Sequence, residues 1–234
     1  MTKAVALCSG GMDSVTMCHM LAQSVDELHL LSFDYGQRHK KELDFAEECA
    51  ETLGAKWDII DLSTVGLLLK GSALSDPEVA VPEGHYADST MALTVVPNRN
   101  SIMLSIAVGV AVAERAGYVA AAMHAGDHPV YPDCRPTFVN MFSQTMQLAN
   151  EGFLVPAFTV EAPFINMSKA DIVKVGHSLD RNVDYTATWS CYKGGEIHCG
   201  RCSTCVERRE AFDLAGYPDP TEYADADFWR TVTA

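Results

Sequence analysis

Residues 9–14, which read Ser-Gly-Gly-Met-Asp-Ser, have the residue types and the order of a phosphate-binding turn. The two glycines have no side chains, so the backbone can approach a ligand closely and present N–H groups to an anion. This is neither of the two commoner nucleotide turns, because no lysine follows the second glycine and no third spaced glycine is present. The alternative is a plain turn in which Asp13 and Ser14 cap the following helix.

Four of the eight cysteines lie within fifteen residues of one another near the C-terminal end. Four thiolates at their spacing can close a tetrahedral zinc site without an open position, so we expect a structural Zn²⁺ ion. An iron–sulfur cluster is the alternative, because Cys-x-x-Cys-x-x-Cys also occurs in cluster proteins. His198 could replace one ligand, although four cysteines make this unnecessary. The predicted ligands are Cys191, Cys199, Cys202 and Cys205.

A third group of polar and titratable residues lies in a segment with two prolines, which restrict its backbone. A rigid loop of this kind suits the recognition of a flat, polar heterocycle. Asp127 or Asp133 could accept hydrogen bonds from an amino-pyrimidinone edge, and His124 or His128 could transfer a proton. The alternative is a structural ion pair between Asp133 and Arg135, with solvated histidines.

These three groups need a scaffold that brings them together, and the hydrophobic pattern predicts one. Short apolar runs are typical of strands buried in a parallel sheet, and helices between them supply the crossovers that parallel strands require. Repetition of this unit predicts an α/β fold with a doubly wound, mostly parallel sheet. The predicted strands are residues 5–7, 28–33, 57–62, 118–123 and 159–164, and the predicted helices are residues 14–23, 38–53, 101–116, 138–150, 168–176 and 206–215.

Residues 63–96 show no convincing period and contain several prolines. A connection of this length is usually functional or mobile. We therefore expect a lid or a substrate loop here; the alternative is a surface excursion without a role.

Composition narrows the class of protein. The chain has neither a basic leader followed by an apolar segment nor an apolar run of membrane length, so we expect a cytoplasmic protein without a membrane partner. In a reducing compartment, clustered cysteines indicate a metal site rather than a set of disulfide bonds. A net charge of −14 would repel nucleic-acid phosphates and favours a small-molecule substrate.

Residues 9–14 resemble the pyrophosphate loop of the ATP pyrophosphatase superfamily, whose members cleave ATP to AMP and pyrophosphate while adenylating a substrate. The resemblance implies an adenine nucleotide alpha hydrolase-like fold, with Asp13 acting through Mg²⁺ or by ordering the loop. Cys8 could be imagined as a covalent nucleophile, but a small buried residue is the preferred interpretation. The implied nucleotide-binding residues here are Cys8, Ser9, Gly10, Gly11, Met12, Asp13 and Ser14.

Four residues elsewhere complete the predicted ATP site. Tyr35 and Gln37 follow the second strand, at the edge where open α/β sheets bind ligands; alternatively, they only shape the turn. Arg99 precedes a helix at its anion-attracting end, where it could pair with ATP or a substrate carboxylate, or be a surface residue. Lys169 lies in the first turn of a helix that a capping box at residues 168–171 opens. Related enzymes hold phosphates with a lysine at a comparable place; otherwise Lys169 is solvated.

The whole chain closely resembles the 7-cyano-7-deazaguanine synthases of the queuosine precursor pathway. The resemblance implies that ATP adenylates the carboxylate of 7-carboxy-7-deazaguanine, that ammonia displaces AMP to give the amide, and that a second activation permits elimination to the nitrile. Asn98 is a departure, because glycine or another small residue is expected there in many relatives. The matching segments are residues 9–14, 34–37, 99–100, 124–127, 131–136 and 189–208.

The same resemblance implies roles and an organisation. Asp13, Lys169 and Asp133 are the expected catalytic residues. An ATP-binding domain over residues 1–180 and a small zinc-binding C-terminal subdomain over residues 181–234 are expected, in a homodimer with Mg²⁺ and no nucleic-acid partner. The expected substrate-binding residues are His124, Gly126, Asp127, Tyr131, Asp133 and Arg135.

Three other functions stay open at this point. A tRNA-thiolating or tRNA-modifying relative would use the same loop and the cysteines, but it would need a basic surface that this acidic chain lacks. A nucleotide-binding module without activity would bind ATP and release no AMP. An enzyme that stops at the amide, or that acts in a different deazapurine pathway, would share every motif described above.

Overall fold

A parallel five-stranded sheet forms the centre of the computed structural model, which describes residues 2–85 and 91–233. The strand order is β3-β2-β1-β4-β5, and every neighbouring pair is parallel. This confirms the predicted doubly wound α/β fold. The strands are β1 Lys3–Leu7, β2 Glu27–Asp34, β3 Lys56–Asp61, β4 Tyr118–Ala120 and β5 Thr159–Glu161.

Helices connect the strands and pack against the sheet, and several of the loops contain a 3₁₀ turn. The helices are α1 Met12–Ala22, α2 Glu42–Leu53, α3 Ser63–Gly66, α4 Arg99–Glu114, α5 Pro136–Ala149, α6 Lys169–Ser178, α7 Ser203–Ala215 and α8 Phe228–Val232. The 3₁₀ turns are Ala92–Thr94, Ala125–Asp127, Pro132–Cys134 and Tyr185–Ala187. Among the described residues, no helix combines the length and hydropathy that a membrane span needs.

Successive side chains of each strand point to opposite faces of the sheet, and a hydrophobic core covers each face. Val5 and Val119 face the core that contains α4 and α5. Ala4, Ala6 and Ala120 face the core that contains residues of α1, α2, α6 and α7. Both faces of β1, β2 and β4 are therefore covered, which explains why these strands are largely buried, whereas the edge strand β3 is largely exposed.

Several element boundaries differ from the predictions, among them those of β4, β5 and the second helix. Strands β4 and β5 have three residues each, where six were expected. Pro163 lacks the N–H group that a continued β5 ladder would need. The predicted second helix begins at Glu42 instead of residue 38, because the N–H of Arg38 donates to the carbonyl of Leu74 and its guanidinium binds the carbonyls of Asp76 and Val79.

The long connection after β3 packs against the body of the protein where it is described. Leu74 and Met91 are buried in the core beside α4, and Thr94 Oγ1 lies 2.5 Å from Tyr131 Oη. Residues 86–90 of the expected lid lie outside the described residues. A lid or substrate loop at residues 63–96 stays a prediction.

The C-terminal region shares a core with the sheet domain. Phe212 of α7 packs edge-on against Tyr185, with the ring centroids 5.0 Å apart, in the core that includes α1. Arg208 is fully buried and donates to Thr188 Oγ1 at 2.7 Å and to the carbonyl of Tyr185 at 2.8 Å. The division at residue 180 stays a prediction, since side chains from both sides of it pack together.

A partly exposed charge network at the amino ends of the strands gives a pH prediction. Burial alone would raise the pKa of Glu114, but hydrogen bonds from Lys56, Lys3 and His29 lower it from 4.5 to about 2. A depressed carboxyl pKa stabilises the fold above pH 4.5, and this stabilisation is lost as the pH falls towards 2. Glu114→Gln should lower the free energy of unfolding at pH 7 by roughly 1–2 kcal/mol.

Urea unfolding at pH 7 and near pH 3 measures this effect, with the exposed Glu151→Gln as the control. We expect the difference between Glu114→Gln and the wild type to shrink at the lower pH. An equal difference in the free energy of unfolding at both pH values would contradict the lowered pKa of Glu114.

Candidate active site

The turn at residues 9–14 connects β1 to α1, and its conformation requires glycine. Gly10 has a φ of +76°, and a Cβ atom there would lie 2.0 Å from the carbonyl oxygen of Glu42. Ser14 Oγ donates to the carbonyl of Gly11 at 3.0 Å and accepts from the N–H of Ser9 at 3.1 Å. The turn is thus held by its own serines, and the N–H groups of the first turn of α1 point out of it.

Asp13 does not act as a helix cap. The N-cap of α1 is Gly11, which has no side-chain capping hydrogen bond. The carboxylate of Asp13 lies instead 3.3 Å from Lys169 Nζ and 3.8 Å from His124 Nε2. This arrangement disfavours the interpretation of residues 9–14 as a plain capped turn.

A cleft of about 270 Å³ opens beside this turn. It lies at the carboxyl ends of β1, β2 and β4, where the chain switches from helices on one face of the sheet to helices on the other. Open α/β sheets bind their ligands at such a switch point. Its floor is apolar, with Phe33, Met103 and Met123 among the lining side chains. The predicted site residues that line it are Cys8, Ser9, Gly11, Asp13, Ser14, Tyr35, Arg99, Asp127 and Tyr131.

A cluster of buried charges lies next to the turn. Lys169, the first residue of α6, has its Nζ 2.7 Å from Glu207 Oε2. Burial would lower the pKa of Lys169, but the carboxylates of Asp13 and Glu207 raise it, so the lysine stays charged. Burial raises the pKa of Asp127, whose Oδ2 lies 3.7 Å from His124 Nε2.

The carboxylates of this cluster outnumber its lysine. Asp13, Asp127 and Glu207 face a single Lys169, and Asp13 Oδ1 is buried without a hydrogen-bond partner among the described residues. Carboxylate oxygens are the ligands that Mg²⁺ prefers. The free oxygen of Asp13 therefore fits a bound cation at the mouth of the phosphate-binding turn.

Arg99 reaches the opposite wall of the cleft. It is the first residue of α4, whereas the sequence predicted a helix that begins two residues later. Its Nη1 donates to Tyr35 Oη at 3.1 Å. Asn98 before it has a φ of 57°, a left-handed conformation that asparagine tolerates better than most residues. Asn98 thus provides the turn for which a glycine was expected, and it leaves Arg99 facing the cleft.

His124 fixes the loop that borders the substrate side. Its Nδ1 accepts from the N–H of Gly126 at 3.1 Å, while its own N–H donates to Asp127 Oδ2 at 3.2 Å. A neutral ring with Nδ1 as acceptor carries its proton on Nε2, which faces the carboxylates of Asp13 and Asp127. A Cβ atom at Gly126 would lie 2.9 Å from His124 Cε1, so this position requires glycine.

Several predicted site residues do not line the cleft. Gln37 is 2% exposed; its side chain accepts from the N–H of Tyr35 and donates to the carbonyl of Phe33, so it shapes the turn. Arg135 donates from Nε to the carbonyl of His128 at 2.8 Å. The predicted residues outside the lining are Gly10, Met12, Gln37, Gly126, His124, Asp133, Arg135 and Lys169, of which Lys169 and His124 still contact Asp13.

Sequence reasoning missed five polar residues at the site. Glu207 pairs with Lys169, and the other four line the cleft: His39, Glu42, Asn100 and Tyr192. Glu207 lies two positions after a predicted metal ligand, and Tyr192 lies directly after another. This adjacency to the cysteines was the available signal, because a bound metal would fix the positions of both residues.

The four C-terminal cysteines converge into one group. Their Sγ atoms all lie within 4.8 Å of one another. Cys199 Sγ accepts hydrogen bonds from the N–H groups of Arg201 and Cys202, and a Cβ atom at Gly200 would lie 1.9 Å from the carbonyl oxygen of Asp225. His198 is not a member: its Nε2 accepts from the N–H of Ser190 at 3.0 Å. The group fits a metal ion bound by four sulfurs.

The C-terminal cysteine group and the turn at residues 9–14 are directly connected. The N–H of Trp189 donates to the carbonyl of Gly10 at 2.9 Å, and its indole Nε1 donates to the carbonyl of Cys191 at 2.8 Å. One tryptophan thus holds both the turn and the segment that carries the first cysteine.

Comparisons with known proteins place the chain among close relatives. The family model described as "Queuosine biosynthesis protein QueC" matches residues 3–216. A "7-cyano-7-deazaguanine synthase" of Rhizobium meliloti (strain 1021) is 58% identical over 231 residues, which cover 99% of this chain and 96% of that protein. One of Rhizobium rhizogenes is 56% identical over 232 residues, with coverage of 99% and 96%. A solved NMN synthetase from Francisella tularensis, 14% identical, has a TM-score of 0.50 over 97% of this chain and 83% of its own, a similarity of fold alone.

Proposed function

The chain belongs to the QueC family of queuosine biosynthesis proteins, and we propose that it converts 7-carboxy-7-deazaguanine and ammonia to 7-cyano-7-deazaguanine at the expense of ATP. The observation that carries this proposal is the pairing of Asp13 with Lys169 beside the N-terminus of α1, at the mouth of an apolar cleft. This pairing places a charged donor for phosphate oxygens beside a cleft whose apolar floor suits a heterocycle.

In the first half of the proposed reaction, a carboxylate oxygen of the substrate attacks the α-phosphorus of ATP and pyrophosphate leaves. The N–H groups at the start of α1 and the ammonium group of Lys169 stabilise the charge that develops on pyrophosphate. Mg²⁺, when bound at Asp13, supplies further positive charge to the phosphates. Arg99 faces the cleft from the opposite wall and can pair with an anionic oxygen there.

In the second half, ammonia attacks the acyl carbon and AMP leaves, which yields the amide. The amide oxygen then attacks the α-phosphorus of a second ATP and displaces pyrophosphate. Loss of AMP, with two protons from nitrogen, yields the nitrile. The carboxylate of Asp127 lines the cleft, 3.7 Å from His124 Nε2, and is placed to accept a proton from the substrate nitrogen. The apolar floor limits the entry of water, which would hydrolyse the acyl-adenylate.

The direct test combines purified protein with ATP, ammonium and 7-carboxy-7-deazaguanine, with products identified by mass. We expect the nitrile, AMP and pyrophosphate. Accumulation of the amide alone would mean that the enzyme adenylates its substrate only once. The absence of AMP would contradict the enzyme proposal. Binding of tRNA at physiological salt, with a base modified in place, would favour a tRNA-modifying enzyme instead.

Asp127 gives a prediction on substrate recognition. Asp127→Asn should weaken binding of 7-carboxy-7-deazaguanine by roughly 10- to 100-fold, because a buried hydrogen bond to the charged acceptor is lost. Binding of ATP should change much less. Isothermal calorimetry with each ligand measures both effects.

Asp133→Asn is the matched control, because Asp133 belongs to the same loop but does not line the cleft. Equal losses for the two ligands in Asp127→Asn, or an equal loss in Asp133→Asn, would contradict this role of Asp127.

For the C-terminal cysteines we propose a structural Zn²⁺ ion. Four sulfur ligands leave no open position for a substrate, as in structural zinc sites. The group lies outside the cleft, since no cysteine of the group lines it. An iron–sulfur cluster is the competing assignment, and iron with acid-labile sulfide in the purified protein would establish it.

We also propose that the protein is a cytoplasmic homodimer. None of the eight cysteines, all of which lie in the described residues, forms a disulfide, which suits a reducing compartment. Met141 and Leu148 of α5 and the nearby Phe153 expose 56%, 76% and 76% of their surfaces, and exposed apolar side chains of this size are typical of an interface. Light scattering of the eluted protein should give twice the chain mass of 25.4 kDa; a monomer mass would contradict the dimer.

A further inference from the structure

Three more cysteines lie together behind the phosphate-binding turn. Cys8 directly follows β1, Cys18 belongs to α1 and Cys49 belongs to α2. Their Sγ atoms lie within 4.8 Å of one another, and the three residues expose 1%, 0% and 4% of their surfaces. Three separate elements therefore direct thiols to a single buried point.

The donor set selects for a particular kind of ion. Thiolates are soft ligands that favour Cu(I), Zn²⁺ and iron–sulfur clusters over hard cations. Zn²⁺ is almost always four-coordinate in structural sites, and among the described residues no fourth histidine, cysteine, aspartate or glutamate joins the three. Cu(I) needs no fourth ligand, so three sulfurs without a fourth donor favour it.

An ion can reach this group from the cleft. Cys8 lines the cleft floor, whereas Cys18 and Cys49 lie behind it. Ordinary packing would explain a single small thiol at any of these positions. It does not explain why thiols from β1, α1 and α2 meet at one point that is open to the cleft.

We propose that Cys8, Cys18 and Cys49 bind one Cu(I) ion as three thiolates. Binding releases three protons and oxidises nothing: Cu⁺ and three thiols become a copper tris-thiolate with a net charge of −2. This charge arises one residue before Ser9, at the start of the phosphate-binding turn. Copper binding should therefore weaken the binding of ATP, a second effect that rests on the proposed function.

The test uses the full chain with its C-terminal metal in place, under anaerobic conditions. Cu(I) is titrated in competition with a chromophoric Cu(I) chelator, and zinc release is followed at the same time. Wild type should hold one Cu(I) per chain before any zinc is released. In Cys18→Ala the affinity for this first copper should fall at least about tenfold, since losing a ligand costs no less than losing an outer-shell partner.

Cys134→Ala is the matched control, because Cys134 is a buried thiol outside both cysteine groups. It should hold copper as the wild type does. Cys49→Ser provides a second variant of the site if Cys18→Ala does not fold, as judged by circular dichroism. Equal copper binding by wild type, Cys18→Ala and Cys49→Ser would overturn the proposal. A second zinc ion bound by the purified wild type but not by these variants would overturn the choice of copper.

The effect of bound copper on the affinity for ATP is measured separately. Calorimetry should show weaker ATP binding by copper-loaded than by copper-free wild type, and no such difference in Cys18→Ala. Copper bound with unchanged ATP affinity would overturn the coupling, and no ATP binding in any sample would count against the proposed function while leaving the copper site intact.

Discussion

Asp13→Asn is expected to reduce the release of AMP and pyrophosphate by at least roughly 100-fold, with the fold preserved. Asparagine keeps the shape of the side chain but removes the charge that faces Lys169 and the oxygen that is free to hold a cation. The loss should appear mainly in kcat, because Asp13 acts on charge that develops as pyrophosphate leaves. Steady-state kinetics with quantified AMP measures this effect.

Asp213→Asn is a matched control, since Asp213 is an exposed carboxylate on α7 outside the cleft. It should retain wild-type turnover. Circular dichroism establishes that Asp13→Asn is folded. A folded Asp13→Asn that keeps more than about half of the wild-type rate would contradict the assigned role of Asp13.

Loss of the C-terminal metal is expected to unfold the region around it. Cys202→Ser removes one of the three buried ligands of the group, so both the metal and its binding free energy are lost. Structural zinc binding is worth roughly 10–16 kcal/mol in isolated fingers, which is comparable to the whole stability of a domain. We expect a folded fraction near zero for residues 181–234 at 37 °C.

Elemental analysis and thermal unfolding measure this prediction. Wild type should contain close to one zinc per chain, and a strong chelator should lower its Tm reversibly. Trp189 reports locally, because its indole donates to the carbonyl of Cys191 and its fluorescence should change when the metal leaves. Cys134→Ser, in which the altered cysteine lies outside the group, should keep the metal and the Tm to within a few degrees. Wild-type metal content and Tm in Cys202→Ser would contradict a structural role.

The same hydrogen bonds predict that metal loss weakens nucleotide binding. Trp189 joins the first cysteine segment to the carbonyl of Gly10, so a disordered metal region releases one support of the phosphate-binding turn. The C-terminal region therefore supports the turn at residues 9–14, in addition to contributing Tyr192 to the cleft lining.

Features that depend on neighbouring residues could be predicted from the sequence. The turn at residues 9–14 needs glycine for its own backbone conformation, and the capping box of α6 pairs Ser168 with Asp171 three residues later. The four cysteines belong to the same class, because their spacing within fifteen residues determines their geometry.

Features that depend on distant residues could not be predicted. Glu207 pairs with Lys169, 38 positions earlier, and only the packing of α7 against α6 brings them together. Gln37 follows a strand end and Asp133 lies in a loop at the site, but the side chain of neither residue lines the cleft. A sequence gives the position of a side chain along an element more readily than the direction in which it points.

The strand lengths show another limit of prediction from the sequence alone. The apolar run of residues 118–123 predicted one strand, but β4 pairs only as far as Ala120 and the chain then lines the cleft with Ala121, Ala122 and Met123. Hydrophobicity predicts that these residues are buried. It does not distinguish residues that pair in a β-ladder from residues that line a cleft.

The most direct test of adenylation follows the oxygen atoms of the substrate. 7-Carboxy-7-deazaguanine labelled with ¹⁸O in both carboxylate oxygens is converted with ATP and ammonium, and AMP is analysed by mass. Attack of the carboxylate, and later of the amide, on the α-phosphorus transfers one labelled oxygen to each AMP, so we expect two singly labelled AMP molecules per unlabelled nitrile. Unlabelled AMP, or label found in inorganic phosphate beside ADP, would contradict the account.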